Sequence, residues 1–117
     1  MNNIFTGLEE WLKERHLDEI PYNHLKLIGQ LTEEICEGIQ RDGKHESVDW
    51  RCDCIVYLIN SLTQDGYNAE KCLEQTLLEI SSRTGHFDET IGKFVKDKSP
   101  EAQAKWYKAD YSKCKAD

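Results

Sequence analysis

The chain has little that would break a helix and nothing that would hold it in a bilayer. Only Pro21 and Pro100 occur in 117 residues, so the stretch between them can run as long helices with no proline break. No segment approaches the roughly eighteen apolar residues of a membrane span, and the opening MNNIFTGLEEWLKER has neither the basic start nor the apolar run of a secretory leader. The expectation is a cytoplasmic protein with no membrane partner. Positive charge is also short: 15 Lys and Arg stand against 22 Asp and Glu, a net −7. That balance disfavours nucleic acid as a partner, because phosphate binding needs a positive footprint, and an anionic ligand here requires a metal or a local basic patch. The cysteines Cys36, Cys52, Cys54, Cys72 and Cys114 are odd in number and lack CxxC spacing, so they read as reduced packing thiols. Residues His16, His24, His45 and His86 show no ligand spacing and read as surface or loop positions.

What is present suffices for one modest core. At 38% hydrophobic content, a chain of this length is expected to form a single domain over residues 1–117. It divides into an N-terminal helix (1–20), a helical core (21–84) and a basic tail (85–117). Glycines supply the punctuation that prolines do not: Gly43, Gly66 and Gly85 fall where helical patterns stop.

The pattern predicts a helix over about 8–17, then a second over about 22–40, where Leu27, Ile28, Leu31, Ile35 and Ile39 recur at spacings of three and four. Gly29 and Gly38 inside it suggest close approach of another backbone or a ligand, or simple tolerance of two weak positions. A third helix is expected from Glu46 or Ser47 to Gln64; its CDCIVYLINSL segment is apolar on more than one face. A fourth follows the N-cap candidate Asn68 and runs to about Arg83. After Gly85, HFDETIGKFVKD reads as two short extended pieces joined near Thr90 and Gly92, and Ser99 with Pro100 opens a short helical turn. Residues 93–117 hold seven lysines against four acids. The predicted architecture is therefore all-α: an antiparallel bundle of the four-helix type, completed by homo-oligomerisation because a short three-helix core leaves apolar faces of a central helix uncovered. An irregular lysine-rich tail completes the chain.

The acids are placed as well as abundant. LTEEICE sets Glu34 and Glu37 three apart at the margin of the apolar stripe, with Gln30 one turn earlier on the same face. On the next helix Glu46, Asp49, Asp53 and Asn60 fall within roughly a 60° arc, flanked by Val56 and Tyr57. Carboxylates that border a core stripe on two antiparallel helices face each other, where uncompensated charge is costly to desolvate and mutually repulsive. Either these acids face water, or a cation sits among them. An all-oxygen set with no histidine in ExxE suits Mg²⁺, with Mn²⁺ as substitute, and differs from the Glu-x-x-His arrangement of di-iron bundles.

EEICE followed by ESVDWRCDCIVYLINSL resembles the MazG-like all-α nucleoside triphosphate pyrophosphohydrolases, whose hallmark is EExxE on one helix and ExxD on the next; the resemblance covers about residues 25–83. SSRTGHFDETIGKFVKD is similar, less specifically, to the lysine-containing tail of small phage and bacterial phosphoribosyl-ATP pyrophosphohydrolase-like members. The resemblance implies metal ligation by Glu34, Glu37 and Asp53, with Asp49 or Glu46 as the fourth ligand. Trp50 stands where a strict ExxD ending at Asp53 would have its glutamate, and Asp49 with Asp53 gives DxxxD instead. The implied reaction is Mg²⁺-dependent cleavage of a nucleoside triphosphate to the monophosphate and pyrophosphate, in a homodimer or homotetramer. Glu37 or Glu46 is the candidate general base. Arg83, Lys93 and Lys96 are candidate contacts to the leaving pyrophosphate. Gln30, Trp50, Tyr57 and Asn60, with Trp11, are candidates for the substrate-binding walls. The alternative reading is a non-catalytic interaction or nucleotide-sensing protein on the same scaffold.

Overall fold

Asparagines open the first two helices. In the computed structural model, which describes residues 3–41 and 46–117 and, of Glu46, only the backbone, Asn3 Oδ1 accepts from the Thr6 amide at 2.9 Å and Asn23 Oδ1 from the Lys26 amide at 3.0 Å. Each bond satisfies an amide that would otherwise have no partner in the first turn. These caps place α1 at Ile4–Glu14 and α2 at His24–Gln40. The first helix thus begins and ends earlier than the apolar pattern alone indicates, since Asn3 caps a turn that the pattern does not mark. The next helices are α3 (Glu46–Gln64) and α4 (Ala69–Ser81), close to expectation; Gly43 and His45 lie outside the described residues.

Two helices end in the same closure. At the end of α1, Leu17 N donates to Leu12 O and His16 N to Lys13 O; after α3, Tyr67 N donates to Leu62 O and Gly66 N to Thr63 O. The closing residue adopts a left-handed backbone in both, with φ of 58° at His16 and 82° at Gly66. Glycine pays no Cβ penalty there, and histidine does.

Residues Met1–Ala69 with Ala116–Asp117 form one compact unit, and Glu70–Lys115 a second. In the first unit α2 and α3 pack antiparallel: Gly38 meets Trp50, and Arg41 meets Asp49. Helix α1 packs on α3, and Gln64 Nε2 donates to Leu17 O at 3.1 Å, fixing the connection after α1. Leu12 is 1% exposed and anchors this core.

The second unit is built on α4. An antiparallel hairpin follows, β1 (Gly85–Asp88) with β2 (Lys93–Lys96), in the register Gly85↔Lys96 to Asp88↔Lys93. Then come α5 (Pro100–Gln103), capped by Ser99, and a 3₁₀ turn at Tyr111–Cys114. The tail is ordered by side chains of α4. Gln75 Oε1 accepts from Tyr107 OH and the Asp110 amide; Glu79 Oε1 accepts from the Ala109 amide at 2.9 Å; Ser82 Oγ accepts from the Tyr107 amide; Thr76 Oγ1 pairs with Tyr111 OH. Gln75, Thr76 and Glu79 recur at helical spacing on α4, with Ser82 just past its end, so one face of the helix forms a polar track for the incoming chain. Cys72 and Cys114, 4% and 1% exposed, are buried in the same unit.

Helix dominates, at 61%, with the hairpin as the one small sheet among the described residues. No described helix is long and apolar enough to cross a membrane.

Candidate functional site

A cavity of roughly 480 Å³ opens within the first unit, between the cavity-facing sides of α2 and α3 and the segment that joins α1 to α2. Helix α2 contributes Lys26, Leu27, Gln30 and Glu34; α3 contributes Asp53, Val56, Tyr57, Asn60, Ser61 and Gln64. Trp11, Leu12, Leu17, Ile20, Pro21 and Tyr22 form an apolar, aromatic wall. A mixed lining of this kind, apolar with a few convergent polar groups, is the usual make-up of a small-molecule site. Of the residues predicted from sequence, Gln30, Glu34, Asp53, Tyr57, Asn60 and Trp11 are brought together here.

One end of the cavity is acidic. Glu34 and Asp53 are close enough for their carboxyl groups to share a hydrogen bond. The Glu34 carboxyl is held above its usual range, first by partial burial, then by the charges of Asp53 and Glu37; Arg41 opposes the shift. The same two carboxylates also push up the Tyr57 hydroxyl and the Cys54 thiol, although burial is the larger cause for each. Repulsion of this kind within a half-buried pair marks a place where positive charge is favoured.

The other two predicted ligands are engaged differently. Arg41 reaches Glu37 at 3.7 Å and Asp49 at 3.5 Å, so one guanidinium links the C-terminal end of α2 to the beginning of α3. Neither Glu37 nor Asp49 lines the cavity. Among the described residues no group of three or more acids, cysteines or histidines is gathered as a metal cage. The side chain of Glu46 lies outside the described residues.

The donor set still fits Mg²⁺. This ion is commonly held by one or two carboxylates, completing its octahedron with water and substrate phosphate oxygens, so Glu34 and Asp53 are a sufficient protein contribution. Zinc or calcium would demand more from the chain.

Trp50 packs against Gly38 and is absent from the cavity lining. Arg83, Lys93 and Lys96 belong to the second unit. There the Arg83 guanidinium stacks 4.6 Å from the Trp106 ring centroid, while Lys93 and Lys96 are exposed at the two ends of β2. Sequence reasoning did not single out Lys26, Tyr22 or Gln64. Lys26 shares a stripe with Gln30 and Glu34 at intervals of four, a signal that was available; the other two are placed by chain tracing after α1 and by the end of α3.

Asn60 carries a further mark of an incomplete site. Its Oδ1 is buried and has no donor among the described residues. Such an acceptor costs roughly 1–3 kcal/mol relative to a satisfied one. No protein-family model matches the chain, and comparison with curated proteins and with solved structures returns no match.

Proposed function

We propose that the chain is a Mg²⁺-dependent nucleoside triphosphate pyrophosphohydrolase of the MazG-like kind, releasing a nucleoside monophosphate and pyrophosphate. The observation that carries this reading is the repelling Glu34–Asp53 pair at the end of a cavity whose remaining walls are apolar, aromatic and amide-lined. In this reading Glu34 and Asp53 hold the metal, and the apolar wall with Trp11 and Tyr57 takes the nucleoside. Bound Mg²⁺ supplies charge neutralisation of the triphosphate and a more acidic water. Glu37, once displaced from Arg41, or Glu46 accepts the proton of the attacking water. Asp49 or Glu46 completes the carboxylate set.

The proposed assembly is a homodimer or homotetramer. Leu25, Ile28, Ile35 and Ile39 on α2 are exposed within about an 80° arc, and Val48, Ile55 and Leu58 form a similar arc on α3. Both arcs lie on the side of their helix opposite the cavity-lining positions. Apolar stripes of this size on two packed helices suit burial against the same stripes of a second copy, which would complete a four-helix bundle.

The test is pyrophosphate release from a panel of normal and modified nucleoside triphosphates with Mg²⁺ or Mn²⁺. Release that is lost in Glu34→Gln and in Asp53→Asn supports the reading; no release above those variants on any substrate refutes it. A nucleotide-sensing or interaction role on the same scaffold is favoured by one observation, the engagement of Glu37 and Asp49 by Arg41. That role predicts nucleotide binding with no turnover.

A further inference from the structure

Lys26 is the only lysine or arginine among the described cavity-lining residues. It stands in a unit that is otherwise strongly acidic, and among the described residues its ammonium is in no ion pair. It lies eight residues before Glu34 on the same helical stripe, about 12 Å along the axis at 1.5 Å per residue. Helical side chains lean toward the N-terminus, which directs Lys26 further from the acidic end. A nucleotide whose phosphates sit at Glu34 and Asp53 therefore presents its base, and not its phosphates, to Lys26.

We propose that Lys26 selects the base: its ammonium reads a ring carbonyl, so the cavity prefers nucleotides of keto bases (guanine, hypoxanthine, uracil, thymine) over those carrying an amino group at that ring position. This rests on the nucleotide-binding reading of the cavity. An ammonium offers three donors and no acceptor, so an exocyclic amino group placed against it opposes donor to donor. A keto base also carries a ring N–H beside its carbonyl, and Asn60 Oδ1 is the buried acceptor that lacks a donor. Gln64 Nε2 gives one of its two N–H groups to Leu17 O at 3.1 Å, which fixes the amide beside the cavity. Together Lys26 and Asn60 match a carbonyl next to an N–H. They mismatch adenine, which offers an amino group next to a bare ring nitrogen. A site built on such hydrogen bonds rejects the wrong partner because its own groups are left unsatisfied.

The experiment is calorimetric binding, with Mg²⁺ present, of inosine monophosphate and adenosine monophosphate, which differ only at this base edge. The parent protein is expected to prefer inosine monophosphate by about tenfold or more. Lys26→Met is expected to narrow this preference by weakening inosine monophosphate alone, with an unchanged melting temperature because Lys26 is exposed. Equal affinities in the parent overturn the proposal, as does a Lys26→Met variant that weakens both ligands alike, the result of a plain phosphate contact. No turnover is needed, so a retained base preference without pyrophosphate release refutes catalysis and leaves this inference standing. Pyrophosphate release without base preference does the reverse, and binding of neither nucleotide overturns both.

Discussion

Trp50 lies across Gly38: a Cβ built on the glycine would stand 2.1 Å from Trp50 Cδ1 and 2.6 Å from Trp50 Cβ. The indole therefore occupies the space a larger residue would need, and α3 approaches α2 closely at the level of the acidic residues. Gly29 in the same helix has nothing within 4 Å, so close approach applies to one of the two interior glycines only.

Gly38→Ala should destabilise the protein by about 1–3 kcal/mol, the usual cost of forcing extra volume into packed space. Urea denaturation measures it. Gly38→Ala combined with Trp50→Leu should cost less than the two single changes added, because the smaller side chain makes room for the new methyl. Strict additivity would show that the indole is not what limits position 38.

His16 and Gly66 close α1 and α3 with the same pair of bonds and the same left-handed backbone, yet only one of them is glycine. His16→Gly should stabilise the protein by up to about 1 kcal/mol, reduced by loss of its contact to Glu19. Gly66→Ala should destabilise it by a similar amount. Thermal melts of the two variants moving in the same direction would contradict this account.

The Glu34 carboxyl has a raised affinity for its proton in the folded chain. Between the usual carboxylate value and that raised value the folded state binds more protons than the unfolded state, so the stability from this group falls as pH rises through the window. Compared with Glu34→Gln, the metal-free parent should gain stability on acidification through that range. At neutral pH, Mg²⁺ should raise the melting temperature of the parent and not of the Glu34→Gln, Asp53→Asn double variant. An equal shift in both would move the metal elsewhere.

Ile28→Lys combined with Ile55→Lys should convert an oligomer to a monomer in sedimentation velocity, since both side chains are more than half exposed on the outward stripes. A parent chain that sediments as a monomer at micromolar concentration would refute the proposed assembly.

The four long helices, the hairpin and the Ser99–Pro100 turn were readable because each depends on local rules: apolar spacing, caps, turn residues and the absence of proline. Spacing also put Glu34 and Asp53 at the edges of apolar stripes, where antiparallel packing brings them together. Trp50 was ambiguous, since an aromatic on a helix can pack or bind, and only its approach to Gly38 decides between the two. The ordering of the tail was hidden for a related reason. Gln75, Thr76 and Glu79 look like solvated surface in a linear reading, and their role exists only once Tyr107, Ala109 and Asp110 return to them.

The amino-acid order alone thus determined a helical chain with acids on two consecutive amphipathic helices, because helix formation and face placement follow from neighbours within a few residues. Tertiary structure decided which acids meet. Glu34 joins Asp53 at the cavity, while Arg41 takes Glu37 and Asp49, and that division depends on the relative rotation and closeness of α2 and α3 set where Trp50 packs on Gly38. Contacts between residues distant in sequence are fixed by packing volume, and no local spacing rule contains that information.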